Sequence, residues 1–294
     1  MSNQNREADP EILADWNGVF MPLKDVTVPA LDRGFLFGDG VYEVIRVYGA
    51  SPFRLEDHLD RLATSLASVQ MKHVEIAQVK TRLLALIEES GLEDALIYCQ
   101  ITRGVAPRTH HYPDHYQPNI LMFIQPFSDV YAETRHTGAR AITHRDIRWR
   151  RNDIKATSLI ANCMAASFAR ENNCLEVVFI DDRGYMTEGS HTSIFGIKDG
   201  NILVAPSSAN VLPGITKRQV LEIADNTGIA LVETRVKEED IYGLDEIFIA
   251  GTPEEIISIV EVNDRKIGTG EPGPLVKRIH NEFKNILAAV ASKN

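Results

Sequence analysis

A chain of 294 residues is long for a single hydrophobic core, so one large domain or two medium ones are expected. Its make-up, 44% apolar and 24% charged, is that of a globular protein, and a net charge of −10 gives no overall pull on phosphate backbones or anionic lipid. Nucleic-acid and membrane partners are therefore not expected, and three widely spaced cysteines, Cys99, Cys163 and Cys174, form no zinc or redox pair and fit reduced thiols in the cytoplasm.

The lead "MSNQNREADPEILADWNG" is polar and acidic and lacks the apolar stretch of a signal peptide. Short alternating runs in "VFMPLKDVTVPALD" read as strands, and "GVYEVIRVYGASPFRLE" as two strands joined through Gly49 and Ala50. At Leu55 the period changes. Leu55, Leu59, Leu62, Leu66 and Val69 lie on one helical stripe, and "AQVKTRLLALIEESG" is a second helix closed by Gly91. "ALIYCQITRG" and "NILMFIQPF" are further strands around a loop rich in Pro and His. The polar "SDVYAETRHTG" marks a boundary, which divides the chain into a small domain at 1–127, a linker at 128–138 and a large domain at 139–294.

In the second half "ARAITHRDIRW" is a strand, and the stretch from Arg148 to Asn172 carries an apolar helical stripe, Leu159, Ile160, Met164, Ala165 and Phe168, expected to pack in the core. Lys155 fits that helix poorly. It stands in the first turn or the approach to it, where the dipole disfavours cations, with Arg148, Arg150 and Arg151 crowding it. β segments follow in "CLEVVFIDDRGYMTEG" and "TSIFGIKDGNILVAP". "GITKRQVLEIADNTG" is a helix closed by Gly228, "DEIFIAG" a buried strand and "GPLVKRIHNEFKNILAAVA" a last helix. Hairpins interleaved with helices, without strict alternation, indicate an α+β fold rather than a doubly wound sheet.

Several motifs bear on chemistry. "FGDG" lacks the third glycine of a dinucleotide loop and precedes a strand, so it reads as a tight turn. His110, His111, His115 and Asp114 lack metal-ligand spacing around Pro113, and no metal is expected; Arg108 beside His110 instead suits a carboxylate. "LPGIT" feeds Ile215 and Thr216 into a helix start, a ready phosphate site, and "AGTPEE" suggests a second such start at Gly251 and Thr252. Glu188 reads either as a solvated acid at a strand end or as a carboxylate held beside a ring nitrogen.

In order, "DRGFLFGDGVYEVIRVY", "FRLEDHLDRL", "QITRGVAPRTH", "DIRWRRNDIK", "MTEGSHTSIFGIKDG" and "LPGIT" span nearly the whole chain. In this the chain resembles the class IV, fold type IV pyridoxal-phosphate aminotransferases, most closely the D-amino-acid aminotransferases. The resemblance implies two domains, a smaller N-terminal α/β domain and a larger C-terminal one with a β-barrel-like core. It implies pyridoxal 5′-phosphate as cofactor, D-amino acids and 2-oxo acids as substrates, and a homodimer with shared active sites. By resemblance Lys155 is the lysine that bonds the cofactor and shuttles the substrate proton, Glu188 the acid at the pyridine nitrogen, and Arg61 the arginine on the phosphate. Ile215, Thr216 and Thr252 add phosphate contacts, and Leu212 packs on the ring. Tyr42 with Arg108 and His110 matches the trap for the substrate α-carboxylate, the last two coming from the neighbouring subunit. Three departures stand out: Arg151-Asn152 before "DIK", His191 in place of a serine, and "GTPEEI" in place of a Ser-Ser-Thr run. A branched-chain L-aminotransferase, an (R)-amine transaminase, an aminodeoxychorismate lyase and a non-catalytic binding protein on the same fold remain alternatives.

Overall fold

The computed structural model describes residues 12–206, 208 and 210–292, so most of the polar lead read as free of a signal peptide lies outside the described residues. β1 (Leu13–Trp16) and β2 (Val19–Pro22) form the first hairpin. Of the strands expected over 19–32, only β2 forms; beyond it Leu23–Asp25 is a single 3₁₀ turn. A short helix, α1 (Arg33–Phe37), is capped by the Asp32 carboxylate at one end and by left-handed Gly38 at the other. It delivers the chain to β3 (Gly40–Tyr48), β4 (Ser51–Pro52), α2 (Leu55–Ser68) and α3 (Ile76–Ser90). β5 (Ala95–Thr102) and β6 (Asn119–Pro126) complete an antiparallel six-stranded sheet in the order β2-β1-β6-β5-β3-β4. The α2 stripe is buried as its spacing requires: Leu55, Leu59, Leu62 and Leu66 join Val41, Ile45, Ile97 and Ile101 of the sheet in one core.

After α4 (Ala132–Thr137) come β7 (Ala139–Arg145), α5 (Ile160–Glu171), β8 (Glu176–Ile180), β9 (Ser193–Lys198) and β10 (Asn201–Val204). They are followed by α6 (Ile215–Thr227), β11 (Leu231–Glu233), β12 (Glu246–Gly251), β13 (Glu255–Val262), β14 (Arg265–Lys266) and α7 (Pro274–Ala291). The strands make an eight-stranded mixed sheet, β11-β10-β9-β12-β13-β7-β8, with β14 on β13. On one face Ala139, Val178, Ile194, Ile249 and Ile259 gather into a common core; on the other α6 and α7 pack over Phe195 and Phe248, whose rings stack 4.6 Å apart. No helix among the described residues is long and apolar enough to cross a membrane.

One local expectation holds only in part and another is overturned. Of the α5 stripe, Ala165 is buried with Ala169 and Phe168 packs beside them, but Ile160 is 79% and Met164 57% exposed. Periodicity marks a stripe but not what covers it, and here the small residues face β8. "AGTPEE" starts no helix. Residues 252–254 form the turn between β12 and β13, and Glu255 enters β13 with φ of 60°.

Candidate active site

Lys155 lies five residues before α5, outside any helical turn. Its carbonyl accepts from Tyr42 N at 3.0 Å, Thr157 N donates to Gly40 O at 3.0 Å, and Ala156 bridges Val41, so the segment is laid against the start of β3. The backbone N–H of Lys155 donates to Ser65 Oγ on α2 at 3.2 Å. Lys155 Nζ forms no ion pair among the described residues and stands 4.3 Å from the centre of the Tyr42 ring. The arginines crowding it in sequence are engaged in space. Arg150 pairs with Asp182, Arg151 with Asp153, and Arg148 with both Asp146 and Glu188.

Glu188 is 4% exposed. Its Oε2 accepts from Arg148 Nη1 at 2.9 Å and its Oε1 from Leu212 N at 2.8 Å. Burial pushes its carboxyl up, opposed by the Arg148 charge and by both hydrogen bonds. Arg148 is itself clamped bidentately by Asp146, at 2.9 and 2.8 Å, and lies over the Phe179 ring. A solvated acid at a strand end is thereby excluded: this is a buried acid built into a charge network.

Arg61 forks onto Glu43, Nε to Oε1 at 2.7 Å and Nη2 to Oε2 at 2.8 Å, and its Nη1 donates to Pro213 O at 3.0 Å. His58 Nδ1 donates to Glu43 Oε2 at 2.7 Å, since a carboxylate only accepts. Burial alone would raise Glu43, but the charge and hydrogen bonds of Arg61, with His58 behind them, hold its carboxyl at about 2. Burial pushes the His58 imidazole down, which favours its neutral form.

One cavity of about 320 Å³ collects these groups: Tyr42, Arg61, Lys155, Glu188, Leu212, Ile215, Thr216 and Thr252 all line it. α6 opens at Gly214 with no side-chain cap, which leaves its first N–H groups open to an anion. A Cβ on Gly214 would lie 2.7 Å from Ser193 Oγ, so any larger residue there has to displace that hydroxyl. A phosphorylated pyridine fits this donor set. The α6 start with Thr216, Thr252 and Arg61 suits the phosphate, buried Glu188 suits a ring nitrogen, and Lys155 suits a carbonyl carbon.

Arg108 and His110 do not line this cavity. They lie on an exposed loop, 5.2 and 5.7 Å from the centre of the Phe37 ring, and Arg33 Nη1 fixes that loop through Thr109 O at 2.7 Å. Among the described residues no group of three or more His, Cys, Asp or Glu is arranged to hold a metal.

Three residues that sequence reasoning passed over belong to this machinery: Glu43, His58 and Asp146. Glu43 carried a readable signal, an acid alternating with Val41, Ile45 and Val47 on one buried face of β3. Asp146 is also local, two residues from the Arg148 it clamps, whereas His58 becomes visible only through Glu43 on another element.

The family model for class IV amino-transferases matches residues 40–262. The D-alanine aminotransferase of Bacillus licheniformis is 34% identical over 279 residues, covering 95% of this chain and 98% of that protein. The D-alanine aminotransferase of Listeria innocua is 34% identical over 264 residues, covering 88% and 90%. Among solved structures, the branched-chain amino acid aminotransferase of Escherichia coli superposes with a TM-score of 0.89 at 25% identity, covering 96% of each chain. That of Thermoproteus uzoniensis, solved with norvaline, gives 0.86 at 26% identity over 96% of each.

Proposed function

The chain belongs to the class IV amino-transferase family, and from that premise we propose that it moves the amino group of a D-amino acid, such as D-alanine or D-glutamate, to a 2-oxo acid by a ping-pong cycle. The observation that carries this reading is the meeting of one amine, Lys155, and one buried carboxylate, Glu188, in a cavity that also takes in the uncapped start of α6. Pyridoxal 5′-phosphate, when bound there, supplies an electron sink for the pair left on the substrate α-carbon.

Lys155 Nζ is the base that takes the α-proton and later returns it, and the Tyr42 ring beside it limits where that amine swings. Arg148 and the Leu212 N–H orient the Glu188 carboxylate, which would keep a ring nitrogen protonated. Arg61, Ile215, Thr216 and Thr252 would hold the phosphate, and Leu212 would lie beside the ring, since all five line the cavity.

Tyr42 on the cavity wall joins Arg108 and His110 of a second copy of the chain in gripping the substrate α-carboxylate, by the bidentate geometry guanidinium offers. Exposed apolar surface supports a homodimer with shared active sites: Leu31 is 52% and Phe35 74% exposed near the Arg108 loop, and Ile160 and Met164 are exposed beside the cavity. The division into a small domain at 1–127, a linker and a large cofactor domain, and a cytoplasmic location, belong to the same proposal.

A branched-chain L-aminotransferase is the second reading, supported by the solved structures above. Rates with D-alanine, D-glutamate, L-alanine, L-leucine and (R)-1-phenylethylamine against 2-oxoglutarate or pyruvate separate the two. Preference for the D-amino acids is expected, with Arg108→Ala raising KM for D-alanine. Preference for L-leucine, or an unchanged KM in the variant, would sink the D-specific reading.

A further inference from the structure

Two of the departures noted in the sequence, His191 and the run Gly251-Thr252-Pro253-Glu254, touch each other. His191 Nε2 lies 3.1 Å from Glu254 Oε1, and its Nδ1 lies 2.7 Å from Ser190 Oγ and 3.3 Å from Glu176 Oε2. Both glutamates are 1% exposed, while the His191 side chain, about half exposed, lines the cavity.

Glu176, on β8, builds the turn that carries His191. It accepts from Ser190 N at 2.8 Å and Thr192 Oγ1 at 2.9 Å, and a Cβ on Gly189 would lie 2.7 Å from it. The same turn meets both halves of the phosphate side. A Cβ on Gly214, at the start of α6, would lie 2.7 Å from Ser193 Oγ, and one on Gly251 would lie 3.2 Å from Thr192 Cγ2. Behind the Thr252 turn, Arg135 donates to Pro253 O at 3.1 Å and Glu254 O at 3.0 Å. The turn is thus gripped by Arg135 at its back and by His191 at the cavity side.

We propose that His191 and Glu254 are positioning residues: their contact locks the Gly251–Glu254 turn onto the Gly189–Ser193 turn, so that Thr252 and the start of α6 converge on one cofactor phosphate. A serine at 191 is too short to reach Glu254 and leaves its buried carboxylate without this partner. The inference rests on the reading that the cavity takes pyridoxal 5′-phosphate.

The test is equilibrium binding of pyridoxal 5′-phosphate and of phosphate-free pyridoxal to the apo-form of the full chain, followed by absorbance and intrinsic fluorescence, for wild type, His191→Ser, His191→Gln and Glu254→Gln. His191→Ser is expected to raise Kd for the phosphorylated ligand by about tenfold, the worth of one charge-assisted hydrogen bond, with Kd for pyridoxal changed less than about twofold. His191→Gln, which keeps a donor for Glu254, should restore part of the loss, and Glu254→Gln should weaken phosphate-dependent binding in the same sense. Equal weakening toward both ligands, or no change toward either, overturns the positioning role while leaving the cofactor assignment standing. Wild-type protein that takes up neither ligand overturns the cofactor assignment itself, and the proposal with it.

Discussion

Replacing Glu43 by Gln keeps the shape of the side chain and removes its charge, at a place where the charge is strongly held. A carboxyl kept at about 2, against an ordinary value of 4.5, stabilises the folded chain by about 3 kcal/mol at neutral pH. Removing one partner of a buried ion pair costs roughly 3–5 kcal/mol, so two independent routes converge on the same size. Because the folded value is depressed, the contribution is present above the unfolded value and fades as pH falls toward 2; at pH 3.5 about 2 kcal/mol remains. Urea unfolding of the apo-protein should therefore give Glu43→Gln a deficit near 3 kcal/mol at pH 7 that narrows in acid. A deficit below about 1 kcal/mol at pH 7 would refute the view that the Arg61–Glu43–His58 network holds α2 to β3.

A Cβ on Gly251 would lie 2.0 Å from Glu254 Oε2, a buried carboxylate with little room to retreat, so Gly251→Ala should cost roughly 1–3 kcal/mol. An unchanged thermal melt would contradict it. Burial disfavours the charged imidazole of His191, but Glu254 and Glu176 outweigh that and raise it to about 9, with Lys155 opposing. Tyr131, next to Glu254, is pushed by burial and by that carboxylate up to about 12 and so titrates later. A raised folded value stabilises fully below 6.5 and is lost as pH rises through about 9. The melting difference between wild type and His191→Ser should shrink across that window, and parallel curves from pH 6 to 10 would rule it out.

Much of the site was legible because its signals are local. The α2 stripe, the "LPGIT" helix start and the misplaced cation at Lys155 depend on residues a few positions apart, and the structure places Arg61, Ile215, Thr216 and Lys155 around one cavity. Where reasoning from sequence went astray, the deciding partner was remote. Ile160 and Met164 share a stripe with Ala165, but the packing of α5 on β8 buries Ala165 and Ala169 and leaves those two larger residues exposed. "AGTPEE" has the letters of a helix start, yet pairing of β12 with β13 makes it a hairpin turn.

The sequence by itself determined most of the helices and strands, the amine and the acid of the site, and the family. Periodicity, capping residues and motif order are written within short windows of chain. Only the tertiary structure decided that Arg148 is spent on Glu188, 40 residues away, that Glu43 holds Arg61, and that His191 reaches Glu254 across 63 residues. Such pairings are fixed by which strands lie side by side, and strand order is set by burial over the whole chain rather than by any local run of residues.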